Sequence, residues 1–85
     1  MATMQQVLVI YDIPDDRIRQ KMADACLDYG LDRVQFSAFQ GLMRRSHQRE
    51  LMHKARTLLG RAPGKVLLIP VGNAEWEQRL EVSRE

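Results

Sequence analysis

Cysteine is almost missing from this chain of 85 residues: Cys26 stands alone. An internal disulfide is therefore impossible, and five methionines suit a reduced interior, which points to the cytoplasm. Histidine is scarce as well. His47 and His53 are six residues apart, so on a helix they point in different directions. With no cysteine pair beside them, they carry no zinc signature. No apolar run approaches the roughly 18 residues that a membrane span needs. The segment before the first apolar run has no basic residue, so a signal peptide is not expected. P-loop, nucleophile-elbow and Gly-rich dinucleotide patterns are all missing, as are internal repeats and low-complexity stretches. Net charge is only +2, too little by itself to indicate a partner.

What is present is an ordinary globular balance, 45% hydrophobic and 28% charged. The length allows one domain, which buries only about 60–65% of its unfolded surface. Dimerisation is a common remedy for so small a core. The charge is unevenly spread. Residues 1–30 carry 3 basic and 5 acidic side chains, residues 31–60 carry 6 and 2, and residues 61–85 carry 4 of each. The middle third is thus basic, through Arg33, Arg44, Arg45, Arg49, Lys54 and Arg56. Such a segment is either a phosphate-binding surface or a solvated helix face.

Residues 7–11, Val-Leu-Val-Ile-Tyr, form a continuous apolar run rich in β-branched residues that suits a central strand buried on both faces. Asp12, Ile13 and Pro14 end it. Pro14, Asp15 and Asp16 suit the first turn of a helix. Ile18, Met22, Ala25 or Cys26, and Tyr29 recur at helical spacing up to Gly30, predicting a helix over about residues 14–29. From Arg33 the period changes to two, with Val34, Phe36 and Ala38 on one side and Gln35, Ser37 and Phe39 on the other. Gln40-Gly41 is a turn or bulge signal, and Leu42-Met43-Arg44 fits a short return strand. Ser46 fits an N-cap for a second helix, whose stripe is Leu51, Met52, Ala55, Leu58 and Leu59, stopped by Gly60. Residues 65–69 form another buried-strand run, closed by Pro70.

Strand, helix, strand, strand, helix, strand, with right-handed crossovers, predicts an α+β, ferredoxin-like βαββαβ sandwich over residues 1–71 with both helices on one sheet face. The other face is bare and calls for a partner, a ligand or a second copy. In the tail, residues 72–85, Trp76, Leu80 and Val82 alternate with charged residues. This suits an extra strand pairing with an open edge of this sheet or of a second subunit; residues 74–81 also fit a helix.

Asp12 stands out because it ends a central strand, where a loop delivers it to the sheet rim, a common place for ligands. The competing reading is an N-cap of the first helix. Asp15 and Asp16 fall where a helix dipole favours acids. Cys26 lies on an apolar stripe and reads as core. Both histidines read as solvated.

Residues 7–13, Val-Leu-Val-Ile-Tyr-Asp-Ile, followed by Asp15-Asp16-Arg17 and Arg19, resemble the opening of the CRISPR-associated Cas two family. Tyr29-Gly30-Leu31, then Arg33-Val34-Gln35, Ser37, Phe39, Gly41 and Leu42, resemble its second block, and residues 66–71 its closing strand. The likeness covers residues 5–71. It implies a homodimer that handles nucleic acid during capture of new spacer DNA and bridges two dimers of an integrase partner. It also implies a Mg²⁺-dependent endonuclease, with Mn²⁺ as the alternative cation, acting on single-stranded RNA or double-stranded DNA. On this resemblance Asp12 is the metal ligand, and Tyr11, Arg19, Arg33 and Phe39 share in catalysis. Arg17, Arg19, Lys21 and Arg33 join Arg44, Arg45, Arg49, Lys54 and Arg56 as candidates for binding nucleic acid. Lys21 keeps only the family's basic character, and Gln40 departs from the acid often found before the glycine.

One carboxylate is too little for Mg²⁺, which wants six oxygens. A two-fold axis near the strand ends would bring two Asp12 side chains together across one cation. Phe39 or Tyr11 would stack on a base or complete the core. The alternatives are a non-catalytic scaffold for DNA and integrase, a toxin-type ribonuclease of the same fold, and a module binding a small metabolite.

Overall fold

Alternating apolar side chains on the first strand decide which way the sheet is covered. In the computed structural model, which describes residues 3–84, strand β1 (Met4–Asp12) lies inside a four-stranded antiparallel sheet. Val7, Val9 and Tyr11 are buried against the helices, whereas Ile10 and Asp12 are exposed on the opposite face. Helix α1 (Asp16–Asp28) follows, then β2 (Asp32–Gln35), β3 (Ala38–Arg44), α2 (Arg45–Leu59), β4 (Lys65–Val71) and a short helix α3 (Asn73–Glu77). The strand order β2-β3-β1-β4 is the expected ferredoxin-like arrangement, a two-layer body 18 Å through its thinnest axis. Between the layers sit Met22, Cys26, Phe39, Met43 and Leu51.

Several local expectations are corrected. Asp15 caps α1, accepting 2.9 Å from the Ile18 amide, so Pro14 precedes the cap and the helix begins at Asp16. Arg44, not Ser46, occupies the N-cap of α2, without a side-chain cap bond. The hairpin turns at Phe36-Ser37 rather than at Gln40-Gly41, because β3 must run along β1 from Ile10↔Ala38 to Met4↔Arg44. Gly41 is therefore a strand residue. A Cβ there would meet Leu31 Cδ2 at 2.7 Å and Leu31 Cα at 3.3 Å, so close packing under the sheet requires the glycine.

Pro70 does not close β4 but lies within it, opposite Val7. It is tolerated there because β4 is an edge strand. Neither β1 nor β4 is buried on both faces: Met4, Ile10, Leu42, Leu67 and Ile69 are between 38% and 50% exposed. The register sets Leu8 opposite Ile69 and Ile10 opposite Leu67, so these side chains form one bare apolar face. In the tail, Asn73 Oδ1 accepts from the Gln6 amide at 3.0 Å and anchors α3 against β1. Of the two tail expectations, the helical one holds over Asn73–Glu77. Residues 78–84 form no strand within the chain, and Leu80 and Val82 are 98% and 95% exposed.

Candidate nucleic-acid and metal site

The β1 terminus puts two consecutive residues to different uses. Asp12 is exposed on the open face, opposite Lys65 of β4. Because Asp15 performs the capping, the Asp12 carboxylate is not consumed by the helix. Its backbone is hemmed in: a Cβ on Gly64 would come within 3.3 Å of the Asp12 carbonyl oxygen. Lys65 follows immediately and stands opposite Asp12 in the strand register, so this close approach sets a basic residue at the same strand end.

Tyr11 points the other way, under the helices, 3% exposed and stacked on Phe39 with ring centroids 6.3 Å apart. Phe39 is fully buried. Of the two roles expected for these rings, both complete the core. Among the described residues, the Tyr11 hydroxyl is the one buried side-chain polar atom without a hydrogen-bond partner. Burial pushes its pKa up, and the nearby Arg33 guanidinium pulls against that shift without closing a full hydrogen bond. Arg33 itself lies exposed over the Phe39 ring, 5.0 Å from its centroid. Arg19 is held from below. Nη1 donates to the Ile13 carbonyl at 2.8 Å and the Pro14 carbonyl at 3.4 Å, and Nη2 pairs with Asp16. Arg19 thus holds the loop that leaves Asp12, while Arg33 lies with Phe39 and Tyr11 on the opposite face of the sheet from the Asp12 carboxylate.

The other basic residues are spread over the molecule. Arg17 and Lys21 are exposed on α1. Arg44 lies at the far end of the sheet, opposite Met4, roughly 26 Å from Asp12 by strand rise. Arg45 is next to it and donates to Gln48 Oε1 at 3.0 Å. Lys54 is exposed on α2. Arg49 and Arg56 line a cleft of about 780 Å³ between α2 and β4, joined there by His53 and Lys65 and floored by Met52, Leu59 and Val66.

The structure therefore brings Asp12, Arg19 and Arg33 to one end and separates them from Arg44 and Arg45. Sequence reasoning missed Lys65, whose register opposite Asp12 only the fold sets, and Phe36, hidden by misplacing the turn. Among the described residues no three His, Cys, Asp or Glu side chains form a metal-holding group. One free carboxylate at a sheet rim fits a Mg²⁺ ion only if water and a second copy complete its shell. Cys26 is fully buried and its thiol is pushed up to about 12 by burial, as expected of core. Both histidines are exposed. No helix among the described residues is long and apolar enough to cross a membrane.

The fold and site define a small ferredoxin-like domain with a bare sheet face and an exposed acid ending its first strand. Residues 4–79 match the family model for CRISPR associated protein Cas2. A relative from Chloroflexus aurantiacus, CRISPR-associated endoribonuclease Cas2 2, is 49% identical over 74 residues, covering 87% of each chain. The crystal structure of Streptococcus pyogenes Cas2 at pH 6.5 superposes with a TM-score of 0.78 at 24% identity, covering 93% of this chain and 99% of that one. A Cas1/Cas2 endonuclease fusion from Thermoproteus tenax is 40% identical over 60 residues, 69% of this chain and 23% of the fusion. The chain belongs to the Cas2 family.

Proposed function

We propose that this chain is the nucleic-acid-binding member of a spacer-acquisition machinery, acting as a homodimer that hydrolyses phosphodiester bonds at paired Asp12 carboxylates. The observation that carries the reading is the exposed Asp12 carboxylate, released from capping by Asp15 and set at the rim of a bare apolar face. Stacking two such faces about a two-fold axis hides Ile10, Leu42, Leu67 and Ile69 and brings the strand ends of two copies together. A tail strand from the partner, with Leu80 and Val82 alternating, satisfies the open edge of β4.

At the joined ends, the Asp12 carboxylates would hold Mg²⁺, or Mn²⁺ in its place. When bound, such a cation polarises a phosphate and lowers the pKa of a bound water. Arg19 and Arg33 grip the phosphate oxygens of the strand, a task suited to the planar guanidinium. Arg19 comes preorganised by its bonds to Ile13, Pro14 and Asp16. Tyr11 and Phe39 act as positioning residues, fixing the ring surface on which Arg33 lies. Water adds to phosphorus, the bond to the leaving oxygen breaks, and the water's proton passes to that oxygen. The endoribonuclease named in the Chloroflexus relative agrees with this chemistry.

A second reading is favoured by the distant basic residues. Arg44 and Arg45, roughly 26 Å from Asp12 along β1, suit a scaffold that holds a duplex backbone without cutting it, as a bridge between integrase dimers would. The Cas1/Cas2 fusion in the Thermoproteus relative supports that partnership.

The deciding experiment measures cleavage and binding of single-stranded RNA and duplex DNA, with and without Mg²⁺, at two salt concentrations, for the wild-type chain and Asp12→Asn. Mg²⁺-dependent cleavage lost in the variant, with binding retained, supports the nuclease. Salt-sensitive binding without cleavage in either protein supports the scaffold.

A further inference from the structure

Phe36 is unexplained by the fold. It occupies a two-residue hairpin turn with Ser37, between Gln35 and Ala38. Such turns favour Gly, Asn or Asp, which adopt positive φ readily. Here no described non-glycine residue has positive φ, so turn geometry does not call for an aromatic residue. Nor does burial, because the side chain is 71% exposed. Yet the ring is not free to wander. The Arg19 guanidinium lies 5.3 Å from its centroid, and that guanidinium is itself tied to the Ile13 and Pro14 carbonyls and to Asp16. The turn is also pinned to the strand that ends in Asp12, since the Tyr11 amide donates to the Ser37 carbonyl at 3.0 Å.

We propose that Phe36, backed by Arg19, is a stacking platform for an unpaired nucleobase, held at the same end of the sheet as Asp12. The inference rests on the nucleic-acid reading above and names the substrate feature that this end recognises, a base out of a duplex. An aromatic ring offers a π-face to any base, so the platform selects single strands without selecting sequence. The guanidinium on one face neutralises adjacent phosphate charge and leaves the other face for the base. In a duplex the bases are already stacked, and Phe36 gains nothing from them.

The test uses the full-length chain carrying Asp12→Asn, so that cleavage does not intrude, and a single-stranded oligonucleotide containing 2-aminopurine. Stacking quenches this fluorophore. Phe36→Ala removes the quench and weakens single-strand binding about 5- to 150-fold, with duplex binding unchanged. Phe36→Trp restores both. Phe36→Leu, apolar but without a π-face, behaves like the alanine variant. Leucine supporting wild-type binding and quench overturns the proposal, as does an equal loss on single strand and duplex. A loss confined to binding of the integrase partner also overturns it, assigning Phe36 to a protein contact. Quenching that persists when the wild-type chain shows no cleavage sinks the nuclease reading alone. Salt-sensitive binding without quenching sinks the platform alone.

Discussion

Tyr11 and Asp12 are adjacent in the chain and lie on opposite faces of the sheet. The Tyr11 ring is stacked on Phe39 beneath the helices, and the Asp12 carboxylate is exposed beside Lys65 in register. Strand alternation imposes the division. It separates a buried aromatic support from an accessible acid within one dipeptide, and it makes the two residues separable by mutation.

Capping falls on Asp15, and the proposed catalysis on Asp12. Asp15→Ala removes the bond to the Ile18 amide and lowers stability by about 1 kcal/mol, with Mg²⁺-dependent cleavage retained. Asp12→Asn leaves the urea midpoint close to wild type and abolishes cleavage. Chemical denaturation and a cleavage assay on both variants check the pair; a large stability loss in Asp12→Asn would sink the division of roles.

Tyr11→Phe deletes a hydroxyl that is buried without a hydrogen-bond partner. A buried unsatisfied group costs about 1–3 kcal/mol, so the variant is as stable as wild type or more stable by about 1 kcal/mol, and it keeps its activity because Arg33 retains the Phe39 ring. Equilibrium urea melts and cleavage rates test this. Loss of cleavage in a stable variant would give the hydroxyl a direct part in the reaction.

In the proposed homodimer the bare face is the interface. Leu67→Glu and Ile69→Glu each place a charge opposite Ile10 and Leu8, in the middle of the proposed interface. Burying an unpaired charge costs several kcal/mol, so dissociation constants rise by more than about 100-fold. Light scattering coupled to gel filtration reads the result as monomer at micromolar concentration. Variants that remain dimeric would move the interface elsewhere.

Alkaline pH reveals the buried thiol. Burial raises Cys26 from about 9 to about 12, so the folded chain keeps a proton that the unfolded chain releases. The contribution is fully present below pH 9 and is lost as pH climbs toward 12, at up to about 1.4 kcal/mol per pH unit. Melting temperatures of wild type and Cys26→Ala therefore converge as pH rises across this range. Parallel curves would mean that the thiolate forms in the folded state at an ordinary pH.

The element order, the core stripe of α1, the apolar run of β1 and the position of Asp12 at its end were legible in the sequence. Each follows from periodicity or from chemistry within a few residues, which a linear reading captures. Gly41 misled because glycine serves turns and close packing alike, and only the approach of Leu31 tells the two apart. That one ambiguity displaced the hairpin and hid Phe36 among strand residues. Pro70 and Ser46 misled in the same way, since strand order and helix phase are settled by neighbours distant in sequence. Tertiary packing alone decided that Phe39 is core while Phe36 is exposed, and that Lys65 stands opposite Asp12. The physical reason is that pattern specifies which residues share a face, whereas burial depends on what is laid against that face.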